Sequence, residues 1–220
     1  MSTLASPRLR ALAQRSAQAR EAAQGRCELC AEPIGAQHRH LLDLSTRQMM
    51  CACRACALLF DRRAAGAGHY RLVPDRRLAL VDFDLDDVAW EELRIPVDMA
   101  FFFLDSRARR VVALYPGPMG ATESLLELES WDAIEAANPL LSTLEADVEA
   151  LLVNRARGAR QQWLVPIDDC YSLAGLIRTR WRGLTGGREV WEEIGRFFEE
   201  LDRRSRPASA HDDEEATWRR

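Results

Sequence analysis

The chain has 220 residues, of which 47% are hydrophobic and 29% charged, and a formal net charge of −4. This length and composition allow one core or two small ones to be buried, which excludes a disordered chain and predicts a globular protein. The N-terminal residues lack the apolar segment of a secretory signal, and the longest apolar run, at residues 99–104, is far too short to span a bilayer. We therefore expect a cytoplasmic protein that makes no membrane contact.

The charge is distributed unevenly along the chain. Residues 1–77 contain thirteen Arg and six acidic residues, a net charge of +7, whereas residues 78–220 contain seventeen Arg and twenty-eight acidic residues, a net charge of −11. A basic N-terminal part can contact nucleic acid or an acidic protein. It can equally attract the acidic remainder of the same chain, and the sequence leaves both interpretations open.

The first predicted element is a helix within residues 1–25. Ser6 suits the N-cap position, Pro7 the first helical position and Gly25 the position after the last turn. The segment between them is rich in alanine but poor in large apolar side chains, so this helix buries little surface by itself. It either docks on the segment that follows or presents its arginines to a partner.

A cysteine cluster follows and predicts a metal-binding module over residues 26–77. Cys27 and Cys30 are separated by two residues, and Cys53 and Cys56 repeat this spacing after twenty-two intervening residues. Paired CxxC turns at such a separation typically direct four thiolates toward one metal ion. We predict these four cysteines as the metal ligands, in a small module that resembles a zinc ribbon.

Alternatives remain open around this cluster. Cys51 competes with Cys53 for one ligand position, although only Cys53 has the two-residue spacing to Cys56. A disulfide or free thiols are the alternative to a metal, but the lack of a secretory signal favours the metal. We interpret His38 and His40 as strand residues or as hydrogen-bond donors around the ligands rather than as catalytic groups.

Zinc is the predicted metal, with iron as the alternative. Both ions accept four thiolates. A rubredoxin-type iron site usually carries glycine directly after the second cysteine of each turn, where the backbone donates to sulfur, and this chain has Ala31 and Ala57 at those positions. The absence of glycine there favours zinc.

The whole chain is predicted to have an α+β fold, in which residues 78–203 form an α/β body with antiparallel hairpins. Apolar runs that favour β-structure flank a turn at residues 105–107, and a second pair of runs flanks Arg157 and Gly158. The run at residues 148–153 also fits a short helix, so its assignment stays open.

Two shorter segments of the body have local signals of their own. A helix is predicted to end at Asn138, because Pro139 follows it. Residues 115–123 are dense in Pro and Gly and form either a rigid turn or a recognition loop.

The last third of the chain predicts two amphipathic helices and a tail. The first helix begins near Asp168 and Asp169, whose carboxylates suit a helix N-terminus, and its apolar stripe comprises Tyr171, Leu173, Ala174, Leu176, Ile177 and Trp181. The second helix directs a set of large apolar residues inward: Val190, Trp191, Ile194, Phe197, Phe198 and Leu201. Residues 204–220 are predicted to form a disordered tail.

Asp168, Asp169 and Cys170 also have the chemistry of an acid, a base and a nucleophile. A helix start explains the aspartates and the apolar stripe explains the cysteine, and no histidine lies between Tyr70 and Ala210 to activate a thiol. The sequence contains no phosphate loop, no GxGxxG and no HExxH motif. We therefore predict a non-enzymatic protein without catalytic residues.

A set of motifs distributed over most of the chain resembles a known family. The motifs are CELC with HRHLLDL and CxCxxCALLF, then ALYPGPMGATESLL, then DVEALLVNR, then PIDDCYSLAGLIRTRWRGLTGGREVWEEIGRFFEEL. They resemble an uncharacterised bacterial family of unknown function whose genes often lie beside those of nickel-iron hydrogenases. The resemblance implies an accessory role near a metalloenzyme, and it supplies no catalytic residue.

Three function classes follow from these observations. The favoured one is a non-enzymatic accessory or assembly protein with a structural zinc site, whose protein partner is a hydrogenase subunit or maturation factor. The second is a rubredoxin-like electron carrier. The third is a zinc-ribbon nucleic-acid-binding protein, which the basic N-terminal part favours and the scarcity of aromatic residues there disfavours.

Overall fold

The computed structural model describes residues 25–60, 68–124, 128–183 and 185–209. The chain divides into two compact units, one that ends at Leu72 and one that begins at Val73. The helix predicted within residues 1–25 lies outside the described residues, apart from Gly25. Within the described ranges, no helix combines the length and the apolar character needed to cross a membrane.

The first unit is built on a small antiparallel sheet. Its strands are β1 (Arg39–Asp43), β2 (Gln48–Ala52) and β3 (Tyr70–Leu72), in the order β2-β1-β3, and helix α1 (Arg54–Phe60) follows β2. The turn from β1 to β2 is closed by Asp43, whose Oδ1 accepts hydrogen bonds from the backbone N–H (2.7 Å) and hydroxyl (2.6 Å) of Ser45. These hydrogen bonds hold the pKa of Asp43 down at about 2.

The second unit is built on a seven-stranded sheet in the order β10-β4-β9-β8-β5-β6-β7. Its strands are β4 (Leu78–Leu80), β5 (Met99–Asp105), β6 (Arg110–Gly117), β7 (Gly120–Ser124), β8 (Glu149–Asn154), β9 (Gln161–Pro166) and β10 (Arg206–Ala208). All neighbouring strands are antiparallel except β10 and β4, which are parallel.

Helices cover both faces of this sheet. They are α2 (Asp87–Glu92), α3 (Leu128–Ala137), α4 (Ile167–Arg180) and α5 (Gly187–Arg204). Successive side chains of a strand point to opposite faces. Phe101 of β5 contacts Tyr171 of α4, whereas its neighbour Phe102 stacks on Trp131 of α3 at 5.3 Å between ring centroids. Helices α3 and α4 therefore lie on opposite faces of the sheet.

The structure confirms the predicted antiparallel hairpins. Strands β5 and β6 pair around the turn after Asp105, and β8 and β9 pair around Arg157 and Gly158. The segment whose assignment was open is strand β8, and all six of its residues are buried. A strand covered on both faces has no polar alternation, which is why the sequence pattern left a helix open.

Two segments differ from the expectations. The Pro- and Gly-rich residues 115–123 form most of a third hairpin, β6 with β7, in which Gly120 has a φ of 105°. Part of the predicted tail is strand β10, which pairs with β4, and Ala208 is 9% exposed. A composition rich in charge and proline predicts disorder, but here the backbone of 206–208 gains its partners from an existing sheet edge.

The junction between the predicted module and body lies close to two partly buried ion pairs. Arg76 binds Glu149 through two hydrogen bonds of 2.8 and 2.6 Å, and Arg77 binds Asp169 through bonds of 2.6 and 3.0 Å. These contacts place both arginines in the second unit, although the predicted module extends to residue 77.

Candidate metal centre

The first CxxC turn is a tight loop at the start of the described chain. The backbone N–H of Cys27 donates to the carbonyl of Glu32, and the N–H of Ala31 donates back to the carbonyl of Cys27, each at 2.8 Å. An isolated β-bridge between Arg26 and Pro33 closes the loop below these bonds. The two cysteines of this turn, Cys27 and Cys30, are thereby fixed on one short hairpin.

The second CxxC turn lies where β2 passes into α1. Cys53 immediately precedes the helix, and its carbonyl accepts from the N–H of Ala57 at 2.9 Å. The N–H of Cys56 donates to the sulfur of Cys53 at 3.4 Å. One turn of helix therefore separates the two cysteines and places both side chains on the same side.

Glu28 ties the first turn to the strand that leads into the second. Its N–H donates to the carbonyl of Cys51 at 2.9 Å, and its carboxylate accepts from the N–H of Cys51 at 2.5 Å. Sequence reasoning did not identify this residue. Its position between the two cysteines of the first turn gives no signal by itself, because its partner is the backbone of a distant strand.

The four predicted ligands converge. The sulfurs of Cys27, Cys30, Cys53 and Cys56 all lie within 4.8 Å of one another, and those of Cys30 and Cys53 are 3.6 Å apart. Thiolates about 2.3 Å from a tetrahedral ion lie about 3.8 Å from each other, whereas a disulfide joins its sulfurs at about 2.05 Å. All four are free thiols, and their spacing fits a metal ion.

The electrostatics of the cluster favour one thiolate before a metal binds. Burial acts to raise the pKa of Cys27, but hydrogen bonds from the backbone amides of Cys53, Cys30 and Leu29 outweigh it and lower the pKa to about 6. Burial, together with hydrogen bonds to the neighbouring sulfurs, raises the pKa of Cys56. Cys27 therefore offers a thiolate at neutral pH, and a metal displaces protons from the cluster as it binds.

Cys51 lies apart from the four-sulfur cluster. It belongs to β2 and pairs with His40 of β1, and its sulfur lies within 4.8 Å of the ligand nitrogens of His38 and His40. Burial and the nearby Glu28 carboxylate raise the pKa of Cys51. The structure thus groups Cys53, and not Cys51, with the other CxxC cysteines.

The alanines that follow the two CxxC turns differ in backbone conformation. Ala31 has a φ of 62°, in the left-handed region that glycine favours, whereas Ala57 lies within α1. Ala31 therefore adopts the conformation for which glycine would be needed, and its identity does not separate zinc from iron.

The C-terminal residues considered as catalytic groups have structural roles. Asp169 is paired with Arg77, and Cys170 is completely buried among the apolar residues of α4. Burial and the adjacent aspartates raise the pKa of the Cys170 thiol, which disfavours a nucleophilic thiolate.

Comparison with known proteins identifies a family but no characterised relative. A family model described as a family of unknown function, DUF5947, matches residues 26–205. No curated protein and no solved structure matches the chain. The family match covers the four-cysteine cluster and nearly all of the second unit, and the chain belongs to the DUF5947 family of unknown function.

Proposed function

We propose that this protein is a non-enzymatic accessory or assembly protein, in which Cys27, Cys30, Cys53 and Cys56 hold one structural zinc ion. The second unit serves as the docking surface for a protein partner. The resemblance noted from the sequence motifs points to a nickel-iron hydrogenase subunit or maturation factor as that partner.

The observation that carries the proposal is the convergence of four sulfurs. Four thiolates fill every position of a tetrahedral ion, so the ion supports the local fold and has no position left for a substrate. Two of the sulfurs are on the hairpin before β1 and two flank the start of α1. One ion would therefore join the hairpin before β1 to the start of α1.

Exposed apolar side chains support a protein partner. Met119, at the tip of the β6–β7 hairpin, is 89% exposed. Leu58 and Leu59 are also 65% and 61% exposed, but they lie on α1 of the first unit, outside the proposed docking surface. Methionine at an exposed hairpin tip adapts readily to a partner's surface.

Metal analysis of the purified chain tests the metal site. We expect zinc in the wild-type protein and loss of the ion held by the four cysteines in Cys27→Ser, with loosening of the first unit, because structural zinc contributes on the order of 10 kcal/mol to small modules of this kind. Cys170→Ser, in the second unit, is the control and should keep the metal. A zinc content that does not fall when all four cysteines are replaced would contradict the site.

Gene deletion in a host with a nickel-iron hydrogenase tests the role. We expect lower hydrogenase activity or maturation, restored by the wild-type gene but not by the Cys27→Ser/Cys30→Ser variant. A Met119→Asp variant that binds metal normally but fails to complement would assign the hairpin tip to the partner interface. Normal hydrogenase processing and hydrogen uptake in the deletion strain would contradict the role, and nucleic-acid binding should then be tested.

One observation favours an electron carrier as a second candidate. Backbone amides donate to the Cys27 sulfur and lower its pKa, and such amide–sulfur bonds tune the potential of iron–thiolate centres. Cys30 is exposed, which gives an electron a short path to the surface. A red protein with ferric tetrathiolate absorption would establish this candidate, whereas a colourless zinc protein would exclude it.

A further inference from the structure

A second group of potential ligands lies beside the CxxC turns. The ligand nitrogens of His38 and His40 and the sulfur of Cys51 all lie within 4.8 Å of one another. The cause is the register of the sheet: His40 of β1 is directly opposite Cys51 of β2, so their side chains share a face. His38 precedes His40 by two residues, the spacing that returns an extended chain to the same face.

The hydrogen bonding of His38 prepares one nitrogen for a ligand. Its Nδ1 lies 3.0 Å from the carbonyl oxygen of Gly35. A carbonyl only accepts, so Nδ1 carries the proton and Nε2 presents its lone pair. Metal-binding histidines are commonly oriented in this way, by donation of the other ring N–H to a backbone carbonyl.

Among the described residues, the lone pair of that nitrogen accepts no hydrogen bond. His38 Nε2 is buried and has no hydrogen-bond partner in the described part of the chain. Burial of an unsatisfied acceptor is unfavourable, and a specific unsatisfied group calls for a bound ion, a water molecule or a functional role. The His38 and His40 rings meet edge to face, with centroids 4.8 Å apart and planes inclined by 73°, so their nitrogens approach one place without the rings stacking.

We propose that His38, His40 and Cys51 form a second metal site that binds one zinc-type divalent transition-metal ion. Two imidazoles and one thiolate are the donor types that zinc and its neighbours prefer. Three protein ligands leave one tetrahedral position for water or for an incoming donor atom. The site therefore differs in kind from the closed four-cysteine cluster, and it does not depend on which ion that cluster holds.

The charge around the trio fits this assignment. The Glu28 carboxylate accepts from the backbone N–H of Cys51 at 2.5 Å. A carboxylate so close to the thiolate adds negative charge that a divalent cation neutralises. All three ligand residues are partly exposed, although the Nε2 atom of His38 is itself buried, so the site lies near the protein surface.

Zinc content and zinc exchange of the full-length chain test the proposal. After reduction, removal of metal and reloading with Zn²⁺, the wild-type protein should hold about two equivalents. The variants His38→Ala and Cys51→Ala should each hold about one, because the four-cysteine cluster remains. His38 lies just before β1, so His38→Ala is the variant that least disturbs the sheet. His69→Ala, which removes an exposed histidine of the same unit, is the matched control and should hold as much zinc as the wild type.

The open position gives the second ion a kinetic signature. With the chromogenic chelator 4-(2-pyridylazo)resorcinol, we expect a fast and a slow phase of zinc release from the wild type, and only the slow phase from Cys51→Ala and His38→Ala. A single phase in the wild type with one equivalent of zinc would overturn the second site. So would unchanged zinc content in both variants, or an equal loss in His69→Ala. Cys27→Ser removes a ligand of the four-cysteine cluster only, so a fast phase of about one equivalent that survives in this variant would assign that zinc to the second site.

Discussion

At the scale of single residues, Ala31 and Ala57 occupy equivalent positions in the two CxxC turns but have different backbone conformations. Each directly follows the second cysteine of its turn. Ala31 has a φ of 62°, whereas Ala57 is a buried helical residue of α1. The duplicated spacing predicted which sulfurs converge, but it did not predict that the first turn closes as a hairpin and the second as a helix, because the spacing is the same in both.

The first prediction is that Ala31→Gly stabilises the first unit. Glycine removes the left-handed penalty of about 1–2 kcal/mol, partly offset by its greater freedom in the unfolded chain, for a net gain of about 0.5–1 kcal/mol. Ala57→Gly should lower stability by about 1 kcal/mol instead, because it places glycine within a helix. Chemical unfolding of both metal-loaded variants measures the difference. Equal effects of the two substitutions would contradict the assigned backbone conformations.

The second prediction concerns the buried carboxylate of Glu149, which is 1% exposed and bound by Arg76. Arg76→Leu should reduce the free energy of unfolding by about 3–5 kcal/mol, because it leaves a buried charge without its counter-ion. Arg110→Leu breaks an exposed pair with Glu123 and should cost less than about 1 kcal/mol. Urea denaturation of the two variants tests the contrast, and similar losses would show that the Arg76 pair is not buried in solution.

The third prediction is a pH dependence from Cys170. Its folded-state pKa is raised by burial, so the unfolded thiol ionises first, above a pKa of about 8.5. Ionisation of this thiol does not affect the free energy of unfolding below that pH. As the pH rises above it, the free energy of unfolding falls by about 1.4 kcal/mol per pH unit for one thiol. Cys170→Ala should show a shallower fall in unfolding free energy between pH 8 and pH 10 than the wild type. Parallel curves would mean that the thiol ionises in the folded state.

At the scale of the elements, helix α5 shows where periodicity predicts burial well and where it does not. Its fully buried residues are Val190, Ile194, Phe198 and Leu201, all members of the predicted stripe. Trp191 and Phe197 belong to the same stripe but are only partly buried. The indole N–H of Trp191 donates to the carbonyl of Thr185, and the guanidinium of Arg157 lies 4.7 Å above its ring. Hydrophobic spacing cannot distinguish an edge position of the stripe from its centre.

The fourth prediction follows from this difference. Phe198 stacks on the buried Trp163, with ring centroids 5.3 Å apart. The substitution Phe198→Ala should lower the free energy of unfolding by about 3–5 kcal/mol. Trp191→Ala should cost about 1–2 kcal/mol, since it removes a cation–π contact and partial burial. Thermal or urea unfolding of both variants checks the order. A larger loss for Trp191→Ala would place that ring in the core.

The sheet edges were the elements least visible in the sequence. Strand β7 follows a Pro–Gly turn, and β10 has only three residues, one of them Pro207. Short edge strands carry little periodic pattern and are defined by the strand they pair with. The central strand β5 was recognisable because it is long and apolar, whereas the assignment of the shorter β8 stayed open.

At the scale of the whole molecule, the two units differ in the sequence separation between the residues that pair in their sheets. In the first unit the sheet pairs residues such as Leu41 and Leu72, and the four cysteines lie within residues 27–56. In the second unit, β4 is bordered by β9 on one side and by β10 on the other, and Leu78 pairs with Arg206. Contacts between distant residues form slowly and late.

Strand β10 therefore sets the order of events during synthesis on the ribosome. Chains emerge from the N-terminus, so the first unit can fold and bring its four cysteines together while the second unit is still being translated. The edge of β4 that β10 covers stays open until residue 208 has emerged, and an open strand edge is a template for pairing with other chains. We therefore expect a nascent chain to pass through a stage with a folded first unit and an unprotected sheet in the second, and a chaperone would be needed most at that stage.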